Sequence, residues 1–276
     1  MSASHLPSPP FVDIEGIANF RDAGGEKTSN GGNVVTGLIY RSADPSKATQ
    51  AGLQKMSKEL GIKAVFDLRS LPEIRRQGPE WANVDVDQPN PFEPYGIERH
   101  WVPVFASDDY GPEQVALRYK EYVRAGTEGF VKAYTDILTS GTDAYTKILR
   151  HLAQPKPQPC LYHCTAGKDR TGILTALLLL LAGVDEDTIA EEYSLTDAGL
   201  KHLRPLFIER LLKNPALEGN EAGVQNMVSS KKENMLASID MIKTQFGGAE
   251  GYLRDYCKLS DGDVELLKKN LLQAER

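Results

Sequence analysis

The sequence predicts an α/β domain, a central and mostly parallel sheet flanked by helices, with further helical segments added to it. Three observations predict this. Short runs rich in β-branched and aromatic residues alternate with stretches whose apolar residues recur at helical spacing. No internal repeat, heptad run or long linker divides the 276 residues, a length that buries a sizeable core as one domain. Polar residues also stand at the ends of three predicted strands, where open α/β sheets bind their ligands.

In chain order, MSASHLPSPP (1–10) lacks the charged start and apolar run of a signal peptide, and its Ser and Pro content predicts a disordered tail before a single domain over 11–276. GGNVVTGLIYRS joins a Gly-Gly turn to a strand ending near Ser42. KATQAGLQKMSKELG reads as a helix capped by Gly61, and IKAVFDLRS as a strand delivering Asp67 and Arg69. A strand from Glu98 to Phe105 delivers Asp108 and Asp109. Three helical segments follow between Pro112 and Ala153, until Pro155 to Pro159 stop the last. PCLYHC is the next strand. The apolar run from Ile173 to Val184 falls short of the roughly 20 residues a bilayer needs, so it reads as a buried helix. Beyond it come only helical patterns: DEDTIAEEYSL, TDAGLKHLRPLFIERLL, SSKKENMLASIDMIKTQFG, AEGYLRDYC and SDGDVELLKKNLL, the last opened by a Ser260…Asp263 capping box. The helical insertions, about 110–153 and 196–248, exceed what the sheet requires.

A net charge of −6 speaks against charge-driven binding to nucleic acid or anionic membrane. Three cysteines without framework spacing argue against a disulfide scaffold and point to a reducing, cytoplasmic compartment. His5, His100, His151, His163 and His202 lack ligand spacing, so neither a metal nor another cofactor is expected. A Walker loop is excluded because Tyr162 stands where its first glycine belongs and Asp169 follows Lys168.

The chemistry concentrates in LYHCTAGKDRTG, Leu161 to Gly172. A turn of small residues, Thr165 to Arg170, joins a strand directly to a helix. Such a turn aims successive N–H groups inward, and the helix N-terminus adds positive partial charge, which makes an anion nest. A cysteine at its base, Cys164, feels the same field and is favoured as the nucleophilic thiolate. Arg170 grips two phosphoryl oxygens as a fork. Thr171 is placed to donate its hydroxyl to the thiolate. The pattern predicts a two-step phosphatase: Cys164 attacks phosphorus, an acid protonates the leaving oxygen, and water hydrolyses the cysteinyl-phosphate. The phosphate-binding residues are Thr165, Ala166, Gly167, Lys168, Asp169, Arg170 and Thr171. A silent phosphate-binding module or another thiol-loop enzyme, a sulfurtransferase or an arsenate reductase, accounts less well for the His163, Thr171 and Gly172 flanks.

HCTAGKDRTG resembles the signature of cysteine-dependent protein tyrosine phosphatases, and AGKDRTG resembles their atypical bacterial and fungal branch. GIANFRDAGG, GLIYRSADPS and VFDLRSLPE are similar to amino-terminal segments of that branch, so the likeness spans roughly residues 12 to 272. The resemblance implies a phosphatase-like fold, with the extra helices as a lid. Its substrates would be phosphotyrosine protein, with phosphoserine, phosphothreonine, phosphoinositide or inositol pyrophosphate as further candidates. The Trp-Pro-Asp loop that carries the acid elsewhere in the family is missing, since HWVPV has Trp101 and Pro103 without an aspartate. The resemblance implies Asp169 as the acid, its protonation supported by the bound phosphate. Asp108 or Asp109 is the rival.

Lys168 reads either as a solvated helix-start lysine or as a holder of extra phosphates. Arg21, Asp22, Asp67 and Arg69 read as ion-paired scaffolding around the loop. Cys160 and Cys164 lie roughly 13 Å apart on an extended strand, too far for a disulfide.

Overall fold

The computed structural model describes residues 6–75, 86–105 and 118–272. Among the described residues five strands form one sheet in the order β1-β2-β5-β3-β4. They are β1 (Arg21–Asp22), β2 (Ile39–Ser42), β3 (Ala64–Asp67), β4 (Glu98–Trp101) and β5 (Cys160–His163). Only β1 is antiparallel, to β2; the pairs β2–β5, β3–β5 and β3–β4 are parallel. The register puts Ser42 and Asp67 on either side of His163, so three strands end level with the start of the Cys164 loop.

Alternation along the strands builds a core on each face. Ile39, Ala64, Phe66, Cys160 and Tyr162 face the larger cluster, and Tyr40, Val65 and Leu161 face the smaller. The smaller face is closed by α1 (Gln50–Gln54) and the π-turn that extends it over Lys55–Glu59, through Leu53 and Met56. The larger face takes helices α3 (Glu128–Ser140), α4 (Thr142–Leu152) and α5 (Asp169–Ala182). Around them pack α6 (Glu186–Gly199), α9 (Lys232–Phe246) and α10 (Asp261–Leu271). Nearly all of α5 is buried, from Arg170 to Ala182, which explains its lack of a polar stripe. Each fully buried leucine there contributes about 2 kcal/mol of transfer free energy. Among the described residues no helix is long and apolar enough to cross a membrane.

Several sequence expectations shift by a few residues. The strand expected to reach Phe105 ends at Trp101, because Pro103 has no N–H for a ladder. The helix expected over 196–212 is two: α6 stops at Gly199, and α7 (Arg204–Leu212) restarts around Pro205, whose ring disfavours helix before it. A β-carbon on Gly199 would lie 2.3 Å from the Asn19 Oδ1, so that end of α6 must be glycine. A short α8 (Glu221–Val228) lies within the second helical stretch. In the described part of the first stretch, residues 118–122 are helical and α3 and α4 follow. At the amino end, the Pro7 and Pro10 carbonyls accept the Phe11 and Asp22 N–H groups at 3.2 and 3.1 Å. That part of the expected tail is therefore tied to β1.

Candidate active site

Cys164 follows β5, the middle strand, and is only 2% exposed. The loop after it is shaped by what its carbonyls touch. Thr165 O accepts the Asp44 N–H at 3.2 Å, and Ala166 O accepts Asn19 Nδ2 at 3.1 Å. Gly167 O accepts Arg41 Nη2 at 2.7 Å and Asn19 Nδ2 at 3.4 Å, and Lys168 O accepts the Gly172 N–H at 2.8 Å. In a planar trans peptide the C=O and the following N–H point in opposite directions. With these four carbonyls turned outward, the N–H groups of residues 166 to 169 turn toward the inside of the loop. Gly167 has φ +67°, and a β-carbon on it would lie 2.2 Å from the Ser42 carbonyl, so only glycine fits.

The donors that hold the carbonyls are themselves held. Arg41 and Arg21, both fully buried, share the Glu192 carboxylate of α6. Arg21 also donates to Thr196 Oγ1 at 3.1 Å and to the Asn19 side chain. Burial opposes ionisation of Glu192, but the charges of Arg21 and Arg41 outweigh it and hold the carboxyl below its ordinary range. Burial, with Arg41 beside it, pushes the Arg21 guanidinium down to about 10, against the pull of Glu192. The expected scaffolding role thus holds for Arg21. It holds for Asp67 too, which pairs with Arg69 and Arg99 at 2.8 and 2.9 Å. Burial works against the Asp67 charge, yet His163, Arg69 and Arg99 together keep its carboxyl well below the usual range. Arg69 also pairs with Asp44, whose backbone N–H holds the loop. Asp22 differs: it accepts the backbone N–H groups of Gly24 and Gly37, at 2.8 and 2.6 Å, and pairs with no arginine among the described residues.

Arg170 lies in the first turn of α5, and its fork is set by Glu73 of α2 (Leu71–Ile74). Nη1 and Nη2 each lie 2.6 Å from one Glu73 oxygen, and Nη1 also donates to Leu68 O at 3.2 Å. The same carboxylate accepts Thr165 Oγ1 at 2.7 Å and the Ser70 N–H and hydroxyl at 2.9 and 3.0 Å. Tyr145 donates to Arg170 O at 2.7 Å. Sequence reasoning missed Glu73, although the Ser70-x-x-Glu73 spacing is a helix-start signal.

Asp169 opens α5, with Oδ1 accepting the Tyr134 hydroxyl at 2.9 Å and lying 3.5 Å from Lys168 Nζ. Lys168 is buried, not solvated: its Nζ donates to the Met227 and Ser229 carbonyls at the end of α8, the second at 3.3 Å. His163 is buried, its Nδ1 3.3 Å from Cys164 O, and burial lowers its pKa to about 4, which keeps the ring neutral at pH 7. The Thr171 hydroxyl is buried without a hydrogen-bond partner among the described residues, so the expected bond to Cys164 is not made. Cys160 is a free, buried thiol pushed up to about 12 by burial. Asp108 and Asp109 lie outside the described residues.

Above the loop is a cavity of about 380 Å³, with Thr165, Ala166, Lys168, Asp169 and Arg170 forming one wall. Phe207, Arg210 and Leu211 of α7 and Met227 and Val228 of α8 line it as well, with Phe105, Tyr119 and Tyr122. Among the described residues no group of three or more His, Cys, Asp or Glu could hold a metal ion. The arrangement can therefore hold a tetrahedral oxyanion between inward N–H groups, a helix N-terminus and a guanidinium, beside a thiol and a carboxyl.

The chain is 29% identical, over 93% of its length and 86% of the relative's, to a provisionally named tyrosine-protein phosphatase of Cupriavidus necator. It is 28% identical to the triple specificity protein phosphatase PtpB of Mycobacterium tuberculosis, over 94% of this chain and 98% of that one. The core catalytic domain of the PP-IP phosphatase SIW14 from S. cerevisiae, in complex with citrate, aligns at 18% identity and a TM-score of 0.34, over 79% of this chain and 93% of that one. The family model described as "Tyrosine phosphatase family" matches residues 12–273, so the chain belongs to the tyrosine phosphatase family and is a phosphoric monoester hydrolase.

Proposed function

We propose that this chain hydrolyses phosphomonoesters in two displacements at Cys164, without a metal ion. The observation that carries the reading is the outward turn of the four loop carbonyls, which leaves the loop N–H groups for the phosphoryl oxygens, beside the Arg170 guanidinium that Glu73 orients. In the first step the Cys164 thiolate forms an S–P bond as the ester P–O bond breaks, and Asp169 gives its proton to the departing oxygen. In the second, water attacks phosphorus, Asp169 takes a proton from it, and the S–P bond returns its electron pair to sulfur. The charge that builds on the equatorial oxygens is met by Arg170, by the loop N–H groups and by the N-terminus of the 14-residue α5.

The cavity size and its aromatic walls suit a phosphorylated aromatic side chain, and phosphotyrosine protein is the proposed principal substrate. Arg118 and Arg210 line the same cavity, and the PtpB relative is named for triple specificity. Both support a range that extends to phosphoserine, phosphothreonine or phosphoinositide. In this reading α7 and α8 form a cover over the cavity. The three free cysteines suit a cytoplasmic setting. The test is p-nitrophenyl phosphate hydrolysis in the presence of a chelator. Wild type should turn over and Cys164→Ser should not; a folded wild type that needs added metal, or an active Cys164→Ser, contradicts the proposal.

A further inference from the structure

We infer that Tyr134 is a positioning residue for Asp169 and that, with Tyr193 behind it, it fixes which carboxyl oxygen carries the catalytic proton. The inference rests on the acid role proposed for Asp169. Three helices bring the groups together. Tyr134 of α3 donates to Asp169 Oδ1 at 2.9 Å, and the Tyr193 hydroxyl of α6 lies 2.7 Å from that of Tyr134. Both tyrosines are fully buried. Burial, reinforced by the Asp169 carboxylate, pushes both hydroxyls well above their ordinary range, so each keeps its proton.

Proton counting then sets the direction of the chain. Tyr134 has one proton and gives it to Asp169, so its oxygen accepts from Tyr193. Asp169 Oδ1 faces that donor and the nearby Lys168 ammonium, so it is an acceptor and has no room for a proton of its own. The acid form of Asp169 consequently carries its proton on Oδ2, the oxygen left for the leaving group. The rings cannot swing away. Tyr134 packs edge-on against Phe130 and Tyr122, with centroids 5.8 and 6.3 Å away. Tyr193 lies against Gly172, where a β-carbon would come within 3.1 Å of its Cδ2. A larger residue at Gly172 of the loop motif would press on the tyrosine that backs the acid. Holding a carboxyl in its reactive orientation before the substrate arrives removes an ordering cost from the barrier.

The test compares phenyl phosphate, whose leaving group needs a proton, with p-nitrophenyl phosphate, whose leaving group departs largely without one. The ratio of kcat/KM for the activated ester to that for the plain ester, which reports the step up to the cysteinyl-phosphate and not its shared hydrolysis, is measured for wild type, Tyr134→Phe, Tyr193→Phe and Asp169→Asn, with thermal melts as a check on folding. The ratio should rise about tenfold in Tyr134→Phe, about threefold in Tyr193→Phe and about a hundredfold in Asp169→Asn. A merely structural tyrosine would lower both rates together and leave the ratio alone. An unchanged ratio in Tyr134→Phe beside a raised ratio in Asp169→Asn overturns the inference while leaving the acid in place. An unchanged ratio in Asp169→Asn removes the proposed acid and the inference with it. Should Tyr134→Phe fail to fold, Tyr193→Phe decides: an unchanged ratio there overturns the chain.

Discussion

Replacing Glu73 with glutamine should damage the phosphate clamp without altering its shape. The Glu73 carboxylate accepts hydrogen bonds from the Ser70 N–H and hydroxyl, from the Thr165 hydroxyl and, at 2.6 Å each, from both Arg170 Nη atoms, and the residue is buried. Glutamine keeps one acceptor oxygen and puts an NH₂ in place of the other, so a donor faces either Arg170 Nη1 and Ser70 or Arg170 Nη2 and Thr165. Arg170 also loses its counter-charge in a buried setting. Removing one partner of a buried ion pair costs about 3 to 5 kcal/mol; the oxygen that glutamine retains reduces this to about 3 kcal/mol. For a domain of this size the melting temperature should fall by roughly 6 °C. Inorganic phosphate supplies Arg170 with a substitute anion, so the gap from wild type should narrow as phosphate is added. Scanning calorimetry with and without phosphate reads both effects, and kcat on p-nitrophenyl phosphate should drop about tenfold or more. A Glu73→Gln enzyme that melts with wild type and turns over at the wild-type rate would refute the reasoning.

Gly167→Ala should cost about 3 kcal/mol and most of the activity, because the residue sits at φ +67° with the Ser42 carbonyl 2.2 Å from any β-carbon; the urea midpoint and kcat check it. His163 links stability to pH. Its folded pKa, lowered by burial to about 4 from 6.5, means that the unfolded chain binds the extra proton between those values. Stability should therefore fall as pH drops from 6.5 toward 4, and His163 alone should account for about 1.5 kcal/mol of loss between pH 6.5 and 5. Urea titrations of wild type and His163→Asn at those two pH values measure it, and equal slopes would contradict it. Lys168→Met should free the end of α8, since the lysine ammonium binds the Met227 and Ser229 carbonyls. Hydrogen exchange over residues 221–230 should then quicken while α5 stays protected.

The sequence made the loop legible because its chemistry is local: Cys164, Gly167 and Arg170 lie within one strand-to-helix turn, and the apolar run behind it is a buried helix. The strands at Ser42, Asp67 and His163 were legible for the same reason, and the register aligns their ends. Glu73, Glu192, Tyr134 and Tyr193 were not. Each reaches the loop from another element, Glu73 from 97 residues before Arg170 and Tyr134 from 35 before Asp169, and no periodicity marks such a meeting. Lys168 shows the converse case. Its place in the motif is local, but its side chain answers to α8, 59 residues away. The break between α6 and α7 was hidden because Gly199 is required by Asn19, at the far end of the chain.

Transfer of the phosphoryl group through Cys164 can be caught by rapid-quench mass spectrometry of wild type turning over p-nitrophenyl phosphate. One phosphoryl group should appear on the peptide that contains Cys164, absent from Cys164→Ser and longer-lived in Asp169→Asn, where the water has no base. A phosphoryl group on any other residue, or full turnover with Cys164 unmodified throughout, would contradict it.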